Sequence, residues 1–286
     1  MTVPICQAVS EKRAEAAANL PQSRLRGEDN SLKLRLDAEI DGFDLRFGDH
    51  LVLRHRHSCP AVVMARGNPD ILMIRGNFRI SDTPSGSIAP ADWRMAEAGA
   101  ELLHDGAPAL QIAIHGNRLT MTSLLAGYDR ITVGFHAEPD ECVWGGGEQM
   151  SYLALNGRAF PIWTSEPGVG RDKSTELTRI MDADGMAGGD YWNTNYPQPT
   201  FLTSRWLAVH LDASCYSVLD FTDPVAHRVE AWSSTASFEL FADDGPLGLV
   251  SQLSKRFGRQ PELPDWAIGG AIVGLKSGAS SFDRLE

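Results

Sequence analysis

The sequence predicts a mostly β protein, built as an antiparallel β-sandwich, on three observations. Runs such as "LKLRLDAEI", "FDLRFGDHLVLRHR" and "LQIAIHGNRLTMTSL" alternate apolar and polar residues, the pattern of strands with one face on a core. Asp-Gly, Gly-Asp and Gly-Asn pairs punctuate these runs at short intervals, as hairpin turns require. The apolar runs are short, and none approaches the roughly 20 residues that cross a bilayer. With 286 residues, 43% hydrophobic and 22% charged, the chain can bury one large core or two ordinary ones.

Taken in order, residues 1–30 are polar and Ala-rich and read as a flexible or helical lead-in. Residues 31–244 carry the β texture, which continues through "ILMIRGNFRI", "RITVGFHA", "RWLAVHLDASCYSVLDF" and "HRVEAWSSTASFELFA". Inside it, "PADWRMAEAGAELLHDG" predicts a helix or helical turn with Asp92 as its cap. Residues 245–264 hold a helix, with Leu247, Val250, Leu253 and Phe257 on one face and Gly258 as its stop, then the proline-rich connector "PELPDW". From residue 265, "AIGGAIVGL" predicts a strand buried on both faces, and "SSFDRLE" a helix start. Strand, turn and helix start open a β/α unit, which cannot bury its own faces by itself.

A net charge of −11 and a pI near 5.2 argue against nucleic acid or an anionic membrane surface as partner, because both need clustered Lys and Arg. Cys6, Cys59, Cys142 and Cys215 lie far apart and read as four free thiols. That points to a reducing compartment, and with no signal-peptide pattern the expected location is the cytoplasm.

The richest chemistry lies in "VWGGGEQMSYLALNGRAFPIWTSEPGVGR". A phosphate cradle fails, because no Gly-Lys-Ser/Thr follows Gly145, Gly146 and Gly147, and the next residue is acidic Glu148. Glu148 and Gln149 either approach a ligand over a bulged backbone or satisfy buried amides at a strand corner. In "AGGDYWNTNYPQPTF", the mixture of Asp190, Tyr191, Trp192, Asn193, Asn195 and Tyr196 suits a sugar, with rings for C–H faces and amides and carboxylates for hydroxyls; it equally suits a loop packed on a neighbouring domain. His55, His57 and Cys59 share a strand face but lack a fourth ligand, so no metal site and no cofactor are expected. Lys276 sits at the carboxyl end of the predicted buried strand, where open α/β sheets and β/α barrels bind ligands.

The stretches "GGGEQMSYLALNGRAFPIWTSEPGVGR", "GGDYWNTNYPQPTF" and "GRQPELPDW" followed by "GLKSG" resemble the N-terminal region of sulfoquinovosidases, the family 31 α-glycoside hydrolases that release sulfoquinovose from its glycosides. The resemblance extends over roughly residues 31–286. It implies a mutarotase-like β-sandwich followed by the first strand of a (β/α)8 barrel, incomplete in this chain. It also implies a retaining mechanism in which two Asp, about 5–5.5 Å apart, act as nucleophile and general acid. Both would lie beyond the end of this chain, which is then inactive by itself. Lys276 matches the family position that bonds sugar hydroxyls, while Glu148, Gln149, Glu166, Arg171, Asp190, Tyr191 and Trp192 fall in segments near the active-site entrance. The partner implied is a small-molecule glycoside; a homo-oligomer stays open. Two other classes compete: a non-catalytic carbohydrate-binding or interaction sandwich, and a mutarotase-like epimerase, which needs converging His and Glu in one cleft.

Overall fold

The computed structural model describes residues 34–39, 41–74 and 76–270. β1 (Leu34–Glu39), β2 (Gly42–Phe47) and β3 (His50–Arg56) form a three-stranded antiparallel sheet. β4 (Val62–Arg66), the hairpin of β5 (Pro69–Ile74) and β6 (Asn77–Asp82), and β7 (Ser85–Ile88) follow. β8 (Asp92–Ala96), β9 (Gly99–His104), β10 (Ala107–His115) and β11 (Arg118–Ser123) then run up and down as a meander, followed by β12 (Arg130–His136). β13 (Val143–Gly147), β14 (Ala159–Ile162) and helix α1 (Glu176–Ala183) frame the long loops in mid-chain. β15 (Pro197–Thr203), β16 (Leu207–Leu211), β17 (Ser217–Asp223), β18 (Ala226–Ala231) and β19 (Thr235–Ala242) complete the strands among the described residues. Helices α2 (Pro246–Phe257) and α3 (Asp265–Ile268) come last.

Two antiparallel sheets make the sandwich, one of order β13-β15-β16-β19-β11-β10-β9-β8 and one of order β14-β17-β18-β12-β4-β7. Alternation drives their packing: in β12, Ile131, Val133 and Phe135 point inward and are buried. Phe135 meets Phe238 of β19 edge-on at 5.0 Å and Phe201 of β15 at 6.2 Å, joining the two sheets through one core. Burying side chains of this kind contributes roughly 1.5–3 kcal/mol each.

Several expectations need correction. The segment around Asp92 is no helix: β8 and β9 form a hairpin in which Trp93 faces Leu102 and Met95 faces Ala100. The alanines lend it a helical look, but Trp93, Ala100 and Leu102 find their apolar neighbours only as pleated strands, with β9 also paired to β10. Cys59 and Cys215 carry free thiols, whereas Cys142 is disulfide-bonded, which linear spacing does not reveal. In α2 the buried residue is Leu249, while Leu247, Val250 and Phe257, expected on the packed face, are exposed. Ala267 and Ile268, expected to begin a strand, belong to the helical turn α3; the rest of that strand, and Lys276, lie outside the described residues.

His55 shows how alternation can imitate a metal site. Its ring is buried and stacks on Phe43 at 4.9 Å. Nε2 lies 2.9 Å from the Ala91 carbonyl oxygen, and the Ala61 N–H points at Nδ1 from 3.4 Å. Both nitrogens are engaged, and burial lowers the pKa of the ring. His57 is exposed beside Asp92. Among the described residues no group of three His, Cys, Asp or Glu is placed to hold a metal ion, and no helix is long and apolar enough to cross a membrane.

The chain divides into two compact units, residues 1–249 and 250–286. The candidate site described next lies in the first.

Candidate functional site

Gly145, Gly146 and Gly147 all adopt positive φ, +120°, +74° and +82°. Their pairing with β15 shifts register between Gly145 and Gly147, so β13 ends in a bulge. A methyl group on Gly147 would overlap the Tyr196 carbonyl oxygen, which accepts the Glu148 N–H at 2.9 Å. The triplet therefore turns the backbone sharply and brings it against the neighbouring strand. Gln149 folds back over the turn: its Nε2 donates to the Gly146 carbonyl at 2.9 Å, and its Oε1 is buried with no hydrogen-bond partner among the described residues. Glu148 is left exposed at the tip. Its backbone amide, rather than its carboxylate, makes the structural bond.

A clean test separates strain from contact. Gly147→Ala is expected to lower stability by more than about 2 kcal/mol, since left-handed strain and a backbone overlap add. Gly116, at φ +63° with open space around it, supplies the control that costs strain alone. Equal losses in urea titrations would mean that the Tyr196 contact yields freely.

Arg171 joins this turn to the second sugar-like segment. It sits at φ +50°, its Nε donates to Ser151 Oγ at 3.1 Å, and its Nη2 donates to the Tyr191 carbonyl at 3.0 Å. Its Nη1 lies 3.7 Å from Met150 Sδ. Segment 150–151 and segment 190–191 are thus held by one guanidinium, whose rigid fork suits several acceptors at once. Asp190 orders its own loop: Oδ1 accepts the Tyr191 N–H at 2.8 Å, and its backbone N–H donates to Asn193 Oδ1 at 2.5 Å. The Tyr191 hydroxyl donates to the Ala159 carbonyl at 2.7 Å, and its ring packs edge-on against Tyr152 and Phe160. Burial raises the pKa of this phenol, so it stays a donor at neutral pH.

The structure therefore links Gln149, Arg171, Asp190 and Tyr191 through the segments they hold, with Glu148 exposed beside Gln149. Glu166 is exposed on the following turn, where Val169 and Gly188 form a parallel bridge that ties this loop to the residues before Asp190. Trp192 lines a separate cavity with Trp163, Phe78 and Tyr216. Sequence reasoning missed Trp163, Lys173, Asp182 and Tyr216 around that cavity. It also missed α1, although Thr175 as N-cap, accepting from the Thr178 N–H, and Gly185 just beyond its end were visible signals.

No protein-family model matches the chain. Among curated proteins, the sulfoquinovosidase of Agrobacterium fabrum is 47% identical over 258 residues, which cover 88% of this chain and 38% of the relative. The sulfoquinovosidase of Escherichia coli K12 is 36% identical over 247 residues, covering 83% of this chain and 36% of the relative. Over most of its own length the chain is thus similar in sequence to sulfoquinovosidases. A solved family 31 sulfoquinovosidase from E. rectale, in complex with the aza-sugar inhibitor IFGSQ, superimposes with a TM-score of 0.74 at 35% identity over 88% of this chain and 38% of that one. Measured against these sulfoquinovosidases, the chain spans less than two fifths of the full length.

Proposed function

We propose that this chain is the sandwich portion of a retaining α-glycoside hydrolase that acts on sulfoquinovosides. The observation that carries this reading is 47% identity to a sulfoquinovosidase across 88% of the chain. In this reading the sandwich is mutarotase-like and serves an active site in which a carboxyl pair cleaves the glycoside with retention. Glu148, Gln149, Glu166, Arg171, Asp190 and Tyr191 then form a wall of the substrate entrance, preset by the hydrogen bonds already described. Lys276 bonds sugar hydroxyls, its ammonium offering three donors.

The epimerase alternative needs a His and a Glu converging in one cleft. Among the described residues His136 Nε2 and Glu138 Oε1 lie 3.0 Å apart with side chains 20% and 53% exposed, but they are close neighbours in sequence that pair with each other at the end of one strand. Glu141 and His227 do converge, with 3.7 Å between Oε2 and Nε2, but their side chains are only 0% and 4% exposed, closed to a sugar. The binding-module alternative retains one specific observation, the aromatic cavity taken up below.

The test is a chimera in which residues 34–286 replace the matched segment of the Agrobacterium fabrum enzyme. It should hydrolyse an aryl α-sulfoquinovoside in preference to the aryl α-glucoside. Lys276→Ala in that chimera should reduce kcat/KM by at least about tenfold, the loss of one charge-assisted hydrogen bond. A soluble, folded chimera without activity would refute the hydrolase reading, and full activity of the Lys276 variant would remove that residue from the substrate site.

A further inference from the structure

Beside the candidate entrance lies a cavity of about 220 Å³ that shares only Trp192 with the residues assigned to the entrance. One wall is the β5–β6 hairpin, fixed at its base by the Asp82–Arg130 ion pair (2.6 Å, side chains 10% and 8% exposed) and along its length by Phe78, which meets Trp163 edge-on at 5.4 Å. The opposite wall comes from β14 and the loops around α1. Trp163 continues a row of rings, 5.9 Å from Tyr216, which lies 4.4 Å from Trp232; Arg130 covers the last ring at 4.0 Å. The aromatic side of the cavity is therefore braced from behind, with the rings held in place before any ligand arrives.

Its polar side includes Arg79, Ser165 and Asn193 beside a matched pair of opposite charge. Lys173 Nζ donates to Asp182 Oδ1 at 2.5 Å and to the Gly188 carbonyl at 2.9 Å. An ammonium has three donors, so one remains, and Asp182 Oδ2 remains as an acceptor. Both side chains are about two-fifths exposed, at 42% and 40%, so solvent or a ligand can reach them. A donor and an acceptor side by side suit two adjacent hydroxyls, each of which donates and accepts, while flat rings suit the C–H face of the same molecule. A purely apolar ligand would leave the charged pair desolvated and unanswered, at a cost.

We infer that this cavity is a second, non-catalytic carbohydrate site that takes a single pyranose unit, stacked among Phe78, Trp163, Trp192 and Tyr216 and hydrogen-bonded by Lys173 and Asp182. It would hold a sugar against the sandwich independently of any bond cleavage.

The experiment titrates the 286-residue chain with methyl α-D-glucopyranoside, reading saturation-transfer NMR and tryptophan fluorescence, with benzyl alcohol as the apolar probe. Saturable binding of the glucoside is expected, weakened about tenfold or more by Lys173→Met, which removes the remaining donor. Trp163→Ala should abolish it and Trp163→Tyr should retain most of it, since a flat face survives. Melting temperatures of all variants establish that each is folded; should Trp163→Ala not fold, Lys173→Met decides. Absence of saturable glucoside binding, binding of benzyl alcohol alone, or glucoside binding untouched by Lys173→Met would overturn the inference. Because the readout is binding to this chain, the result stands apart from hydrolysis by the chimera.

Discussion

Glu141→Ala is expected to cost about 3–5 kcal/mol, enough to unfold much of the population of a protein of ordinary stability. Glu141 is fully buried just before β13, and its Oε2 accepts the Glu138 N–H at 3.0 Å. Its Oε1 lies 3.1 Å from Arg205 Nε, without hydrogen-bond alignment, so the attraction there is one of charge. Arg205 in turn donates to the carbonyls of Leu51 and His136, drawing β3 and β12 toward the start of the strand that carries the glycine turn. Removing the carboxylate would leave this guanidinium, only 15% exposed, without the charge 3.1 Å from its Nε. Glu141→Gln keeps the shape and an acceptor and should cost less. Urea titrations under matched redox conditions, with Cys142 in its disulfide, give the comparison; a loss under about 1 kcal/mol for Glu141→Ala would mean that the charges contribute nothing net.

The same cluster sets a pH dependence. Burial alone would raise the pKa of Glu141, but His227, Arg205 and Thr203 outweigh it and bring the value from 4.5 down to about 2. The unfolded chain therefore takes up the proton first. Stability from this group is complete above pH 4.5 and is lost as pH falls toward 2, about 3 kcal/mol in all. The Glu141→Gln variant should lack this acid-side decline.

Strand texture was legible where large apolar residues alternate with polar ones. The residues of β11, β12, β17 and β18 announce themselves by alternation because buried positions alternate with more accessible ones along each strand. β8 and β9 were not legible, because their alanines carry little signal of either period and the decision falls to pairing with β10. The glycine turn could be seen as a special backbone, yet its contact with the Tyr196 carbonyl depends on a strand some fifty residues away. Similarly, Arg171 was named only through the family resemblance, as a residue near the active-site entrance, with no partner in view. Its role comes from acceptors twenty residues off on either side, and no local pattern encodes such a distance. Trp163 and Tyr216, from two different segments, meet only because β14 pairs with β17.

Arg171 yields the largest catalytic prediction. In the active chimera, Arg171→Ala should lower kcat/KM by roughly tenfold to a hundredfold, the equivalent of losing about 1.5–3 kcal/mol of charge-assisted hydrogen bonding at the entrance wall. On the proposed reading Arg171 would act as a positioning residue, because it bonds Ser151 and the Tyr191 carbonyl and so holds the loop in which Asp190 caps its own turn. If that loop contacts the sugar only when it is ordered, the loss falls mainly on KM, because the catalytic carboxylates are untouched. If the wall strengthens its contacts as the glycosidic bond breaks, kcat falls as well. Arg171→Lys should recover little, since one ammonium cannot span acceptors that the planar fork reaches from separate nitrogens. Melting temperature should move by only a few degrees, as the side chain is half-buried and supports a loop rather than the core. A merely structural role predicts the reverse, with a large fall in melting temperature and kinetics unchanged in the molecules that remain folded. Parental kinetics for Arg171→Ala would sever this loop cluster from the substrate.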